Sequence, residues 1–300
     1  MTEQHTPSSL ILTFYGAYGR AELAGRVPVA ALIRLMGAVG VDPPSVRSAV
    51  SRLKRRGLLV PDRVGGAAAY ALSDDARLLL ADGDGRIYGV GAAPDPDPED
   101  WLLAVFSVPE SERHKRHLLR SRLAGLGFGT AAPGVWVAPG ALHEETRHVL
   151  RRLELAPYVD LFRGAHLGFT ATEEAVRRWW DLDALAALHH TFLAAHEPVL
   201  GRWSAESGAG AESEVGAGAE SGAGAESEAE AGAGAEERSP ERAFGDYLRA
   251  LDTWRRLPYA DPGLPPALLP ADWPGIRSAA VFTALHVLLR DQGARFVADQ

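Results

Sequence analysis

The stretch SVRSAVSRLKRRGLLV, residues 45–60, carries Arg47, Arg52, Lys54, Arg55 and Arg56 and no acidic residue. Guanidinium and hydroxyl groups are suited to hydrogen bonding with nucleic acid. Arginine pairs bidentately with guanine O6 and N7, and serine donates to bases or phosphate. Val46, Val50 and Leu53 fall at i, i+4 and i+7, the spacing of one buried helical stripe. Ser45, Ser48, Ser51, Arg52 and Arg55 lie away from that stripe. Arg47 and Arg52 are expected to read base edges. Lys54, Arg55 and Arg56 sit at the C-terminal end, where positive charge also suits the helix dipole, and are expected to contact only the backbone of DNA. The alternative is an ordinary amphipathic helix whose charges are merely solvated.

Such a helix needs elements to hold it. Asp42 is placed to cap it and Pro43 to occupy its first position. Two helices are expected before it. SSLILTFYGAYG begins with serine caps, and VPVAALIRLMGAVG has Pro28 near its start and Gly37 and Gly40 at its end. Gly57 is expected to stop the basic helix. GLLV and AAAYAL then read as two short strands around a PDRVGG turn, a hairpin in which Arg63 reaches phosphate. SDDARLLLADGDGRIYG closes the segment as a helix capped by Ser73 or Asp74. This order is that of a winged helix-turn-helix. Its third helix enters the major groove and its hairpin lies against the backbone.

The whole chain has 300 residues and a formal net charge of -8. The length suits two or three domains of about 100–200 residues each. The acidic total argues against a general nucleic-acid coat. It does not oppose one basic face, because screening makes the local patch matter more than the sum. No cysteine is present, which excludes disulfides, thiolate zinc sites and thiol nucleophiles. No run approaches the ~18–20 apolar residues of a membrane helix. MTEQHTPSS lacks the basic start of a secretory signal. No membrane association and a cytoplasmic location are expected.

Composition divides the chain. Residues 1–90 form the expected winged-helix domain. The Pro- and Asp-rich residues 91–100 read as a linker. Residues 101–170 read β-α-β-β-α-β, the ferredoxin-like order. Residues 171–300 read as helical, interrupted by a Gly, Ala, Glu and Ser repeat over 204–237 that is expected to be disordered. The fold class is α+β.

Three stretches in order carry a resemblance: SVRSAVSRLKRRGLL, FSVPESERHKRHLLRSRLAGLGFGTAAPGVWVAP and DPGLPPALLPADWPG. On them the chain resembles the PaaX family of bacterial transcriptional regulators over nearly its whole length outside 204–237. The resemblance implies a winged-helix DNA-binding domain, a Cas2-like ferredoxin-like middle domain and a helical C-terminal domain. It also implies a homodimer acting on a double-stranded DNA operator, and an effector such as an acyl-CoA thioester. Arg47, Ser51 and Arg52 are the matched positions of its recognition helix. The repeat over 204–237 departs from the family pattern.

Other constellations are weighed against plainer readings. Cas2 nucleases resemble one another in an Asp at the end of the first strand. Here that strand ends Phe106-Ser107-Val108-Pro109, without a carboxylate for a metal ion. His189, His190 and His196 lie in one helix-like run, where His189 and His196 share a face, and His114 and His117 lie in another, but no HExxH spacing is present. Packed or surface histidines are the expectation, with no metal, no cofactor and no catalytic residue. No GxSxG, Walker or Rossmann pattern appears. Trp254, Arg255, Arg256 and Tyr259, after Asp252, mix aromatic and basic groups in a way that suits a phosphate-bearing, ring-containing ligand such as an acyl-CoA. The alternative is an Arg–Asp pair beside Trp254 and Trp273 in the core. The expected function is a DNA-binding regulator, more often a repressor, released by a small effector. The competing reading is a protein-interaction or ligand-binding protein whose winged helix is only a packing module.

Overall fold

In the computed structural model, residues 5–89, 96–215 and 239–300 are described. The first elements are α1 (Pro7–Phe14), a π-helical turn (Tyr15–Gly19), α2 (Arg20–Glu22), β1 (Arg26–Pro28), α3 (Val29–Gly37) and α4 (Pro43–Arg55). They are followed by β2 (Leu59–Val64), β3 (Ala67–Leu72) and α5 (Asp74–Tyr88). Next come β4 (Trp101–Phe106), α6 (Arg113–Gly125), β5 (Gly129–Ala132), β6 (Val135–Pro139), α7 (His143–Arg152) and β7 (Val159–Gly164). The chain ends with α8 (Thr172–Trp179), α9 (Leu182–Val215), α10 (Pro240–Trp254), α11 (Leu257–Ala260) and α12 (Gly275–Ala298).

These elements pack as two compact units. One takes Met1–Tyr88, Phe192–Trp254 and Arg277–Gln300; the other takes Gly89–Thr191 and Arg255–Ile276. The helical segment expected over 171–300 therefore does not stand by itself, because its helices complete both units. The reason is visible in α1, whose Leu10, Ile11 and Phe14 are all buried, so that its apolar surface needs partners on more than one side. It packs on α4 and on α10. Phe14 meets Phe244 edge-on at 6.3 Å, and Tyr18 meets Tyr247 at 5.9 Å. A Cβ added at Gly293 of α12 would strike the Tyr18 hydroxyl and the Phe244 backbone, so glycine permits this close approach.

The first unit also contains the antiparallel sheet β1-β3-β2. Its hairpin is longer than the sequence suggests. Pro61 to Val64 belong to β2 in register with β3, and only Gly65 and Gly66 are left as the turn. Their φ values of 55° and 85° suit a two-residue hairpin turn that other residues adopt poorly. β1 was not anticipated; Val27 pairs with Tyr70 of β3. Thr6, not a serine, caps α1 by accepting the Ser9 amide at 3.2 Å. At α9, His196 is buried and its Nε2 lies 3.1 Å from the Thr253 hydroxyl, which itself donates to the Arg249 carbonyl. The imidazole is thus the donor to Thr253. Burial pushes its pKa down to about 4.

The second unit is a β-α-β-β-α-β sheet in the order β5-β6-β4-β7, antiparallel throughout. Alternation in β4 sends Leu102 and Ala104 to one face, where Leu119, Leu123 and Leu150 of α6 and α7 cover them. Trp101 and Val137 face the other way, against Val176, Trp180, Leu182, Leu264 and Leu268. The Pro-dense stretch near the C-terminus therefore supplies part of a second core. The Trp180 indole donates to the Gly127 carbonyl at 2.9 Å. At Gly127, whose φ is 86°, a Cβ would press on Pro262.

Of 204–237, expected to be disordered, Ser204–Val215 continue α9 as helix, and the rest lies outside the described residues. A helix nucleated from Leu182 extends cheaply through Ala and Glu, so Gly208 and Gly210 do not stop it. Of the linker over 91–100, residues 91–95 lie outside the described residues, and 96–100 form no helix or strand.

Candidate nucleic-acid interface

The ends of α4 are firmly set. The Asp42 carboxylate accepts the Ser45 amide at 2.9 Å, and Ser45 holds the carboxyl below the usual carboxylate range. Pro43 opens the helix. At the far end the Gly57 amide donates to the Lys54 carbonyl and the Leu58 amide to the Leu53 carbonyl. This pair is a Schellman cap, and Gly57 provides its left-handed residue with φ 70°. Val46, Ala49, Val50 and Leu53 are buried. Their burial fixes which face α4 turns outward.

That outward face carries the predicted residues. Arg47, Ser48, Ser51, Arg52, Lys54, Arg55 and Arg56 are exposed, and Ser45 is half-buried. Arg52 is partly engaged: its Nη1 donates to the Ser48 hydroxyl at 2.8 Å and its Nε to the Ser8 hydroxyl of α1 at 3.4 Å. Those bonds lay its guanidinium along the helix surface. Among the described residues Arg47, Lys54, Arg55 and Arg56 form no ion pair. In a chain with excess acid, that leaves four cations uncompensated on or beside one helix.

The hairpin adds Arg63, which is exposed and donates to the Gly66 carbonyl at 3.2 Å. The nearest acid, Asp62, is neutralised in place. Arg26 of β1 grips it through two bonds of 2.6 and 2.8 Å. Arg26 and the Arg63 amide bring the Asp62 carboxyl down to about 2. Sequence reasoning missed Arg26, and no local signal could have found it, since the pair forms only when β1 joins the sheet.

The residues expected to bind a ligand fall in both units. Trp254 is a core residue of the first unit, stacked on Phe282 at 4.7 Å, with its indole donating to the Ile87 carbonyl at 2.9 Å. Arg255, Arg256 and Tyr259 belong to the other unit, and none is without a partner. Asp252 is fully buried and accepts from Ser9 at 2.5 Å and Thr13 at 2.7 Å, with His5 at 2.8 Å. Trp273 is half-buried beside His189, whose Nε2 lies 3.0 Å from Asp261. A cleft of about 400 Å³ in the first unit is lined by Gly16, Arg20, Tyr88, Tyr247, His286 and Arg290, among others. Its guanidiniums are already balanced, Arg20 by Asp84 and Arg290 by Glu22 and Asp291.

Among the described residues no group of three His, Asp or Glu side chains is gathered to hold a metal ion. β4 ends at Phe106 with no carboxylate, as its sequence indicates. No described helix is long and apolar enough to cross a membrane.

Helix, basic helix and hairpin in one unit, with a Cas2-like sheet in the other, define a mixed α+β protein. Residues 6–76 match the PaaX-like protein family, 95–176 the PaaX protein central Cas2-like domain and 225–299 the PaaX-like protein C-terminal domain. The chain belongs to the PaaX family. It is 25% identical over 299 residues to the transcriptional repressor PaaX of Escherichia coli (strain K12), an alignment spanning 98% of this chain and 83% of that one. In fold it is similar to the uncharacterized protein Rv0674 from Mycobacterium tuberculosis. The TM-score is 0.58 at 18% identity, over 99% of this chain and 100% of that chain.

Proposed function

We propose that this protein is a sequence-specific DNA-binding transcriptional repressor, a regulator and not an enzyme. The observation that carries the reading is the exposed face of α4. It presents Arg47, Ser48, Ser51 and Arg52 outward with no acid on the helix, backed by a rigid apolar stripe. The repressor activity named for the Escherichia coli relative supports the same reading. The arrangement of α3, α4 and the β2–β3 hairpin serves as a winged helix-turn-helix within the first ninety residues. α4 enters the major groove, with Lys54, Arg55, Arg56 and Arg63 on phosphates. The protein acts in the cytoplasm as a homodimer, whose paired α4 helices meet half-sites one helical turn or a multiple of it apart. A small effector, an acyl-CoA thioester or another small molecule, shifts the dimer away from that spacing.

The test selects duplexes from a random pool with the full chain and measures their binding by fluorescence anisotropy. A single enriched sequence whose binding is lost in Arg47→Ala/Arg52→Ala is expected. No enrichment, or equal binding by the variant, favours the packing-module reading. A thermal-shift series of CoA thioesters tests the effector: at 100 times its Kd a ligand stabilises by ~2.7 kcal/mol.

A further inference from the structure

The second unit carries a basic helix of its own, and its charges are arranged differently from those of α4. Helix α6 begins Arg113-His114-Lys115-Arg116-His117 and has no acid in its first turn. Cations there oppose the helix dipole, which favours negative charge at an N-terminus. The dipole therefore does not account for them.

Ion pairing accounts for only part of this charge. Arg116 is bound by Glu110 at 3.0 Å and by the Val108 carbonyl at 2.6 Å. Lys115 is bound by Glu112 at 3.3 Å and the Tyr158 hydroxyl at 2.7 Å. Both acids leading into the helix are thus taken. Elsewhere in the unit Arg163 pairs with Asp100, Arg147 with Glu144 and Arg178 with Glu174. Arg113, His117 and Arg120 have no ion pair among the described residues, and all three are exposed. At i, i+4 and i+7 they share one edge of α6, to the side of the buried Leu119 and Leu123. Arg113 and Arg120 are separated by about 10 Å of helix rise. A shallow depression of about 360 Å³ runs along this edge, lined by Glu110, Arg113, His114, Arg116, His117 and Arg120.

We propose that this edge of α6 is a second contact surface for the phosphate backbone of duplex DNA, used in addition to α4. The inference rests on the DNA-binding reading above. A linear row of unpaired cations matches a repeating polyanion better than a single small anion. The depression is lined by no aliphatic or aromatic anchor, the feature that marks a protein-docking surface. Contacts of this kind add affinity without sequence preference.

The experiment uses the full chain and a 40-base-pair duplex of arbitrary sequence, followed by anisotropy between ~50 and ~200 mM salt. Wild type is compared with Arg113→Gln/Arg120→Gln and with Arg113→Lys/Arg120→Lys, each checked for an unchanged melting temperature. Neutralising two phosphate contacts is expected to make the plot of log K against log salt shallower by about 1.8, at ~0.9 per contact. The lysine variant, which keeps the charges, is expected to retain the wild-type slope. An unchanged slope in the glutamine variant overturns the proposal and leaves the surface to an acidic protein. Equal loss in both variants overturns it too, since the residues then act structurally. Failure of wild type to bind any duplex overturns this inference together with the DNA-binding reading.

Discussion

Helices α4 and α6 are each 13 residues long and each carries a basic, exposed face, yet they are built on opposite plans. α4 is capped at both ends, by Asp42 and by Gly57, and its Lys54 and Arg55 lie in the last turn, where the dipole favours them. α6 has no side-chain cap, enters through a short 3-10 turn, and carries Arg113, Lys115 and Arg116 in its first turn. Positive residues at a helix C-terminus are partly explained by helix stability, so Lys54, Arg55 and Arg56 are weaker pointers to a ligand than Arg47. Arg113, at the N-terminus of α6 and without an ion pair among the described residues, has no such explanation, and an external anion accounts for it better.

The contrast is tested first at its foundation. Leu53→Ala should destabilise the first unit by about 2–5 kcal/mol, because the site is closed on all sides by packed neighbours. Urea unfolding followed by circular dichroism measures it, and DNA binding should fall with it. A loss below about 1 kcal/mol would mean that α4 is not held by its apolar stripe.

Arg52→Ala should weaken binding to the selected operator by about 1–3 kcal/mol and relax discrimination at one base position. The Arg113→Gln/Arg120→Gln variant should instead weaken all sequences alike. Anisotropy with matched and mismatched duplexes separates the two. Equal discrimination losses in both variants would erase the distinction between the helices.

Capping comes next. Asp42→Ala should cost about 1 kcal/mol of stability, the usual worth of an N-cap. Glu112→Ala in front of α6 should cost less, since that side chain does not cap its helix. Thermal melts of the two variants give the comparison directly.

The smallest effect concerns acid. Asp62 has its carboxyl lowered to about 2 by Arg26 and the Arg63 amide, below its unfolded value near 3.9. The stability it contributes is complete above pH 4 and fades as pH falls from about 4 to about 2, where protonation breaks the bond to Arg26. In the second unit Asp100 is lowered in the same direction by Arg163. Asp62→Asn should flatten the acid limb of the stability curve of the first unit. Unfolding midpoints in urea between pH 5 and pH 2 reveal it, and an unaltered acid limb would show that the pair adds nothing.

Much of α4 was legible because its signals are local. A capping Asp, a Pro at the first position, apolar residues at i, i+4 and i+7, and a stopping Gly all act within one element. The antiparallel β-α-β-β-α-β unit was legible for a similar reason, since its strands and helices alternate with clear turn residues. The β2–β3 hairpin was read with its first strand four residues too short, because Pro61 and Asp62 resemble turn chemistry, while its second strand was read as it stands. In the structure Pro61 lies in β2, the edge strand of its sheet, where its missing amide is tolerated. The expected ligand cluster was read from adjacency alone. Trp254 and Arg255 are neighbours in the chain, but a helix end between them sends the indole into a core.

What this sequence settled by itself was the periodicity of α4, the sign of its outer face, and the β-α-β-β-α-β order of the middle segment. These depend on side-chain spacing and on caps, which operate over a turn or two of backbone. Only the tertiary structure decided that α1 would bury itself against α10, that the Pro-dense stretch would cover the back of the β4 sheet, and that Arg26 would silence Asp62. It also decided which cations stay unpaired. Those outcomes depend on residues tens to hundreds of positions apart, such as Ser9, Thr13 and Asp252, meeting where water is excluded. No periodicity in a single segment encodes such a meeting.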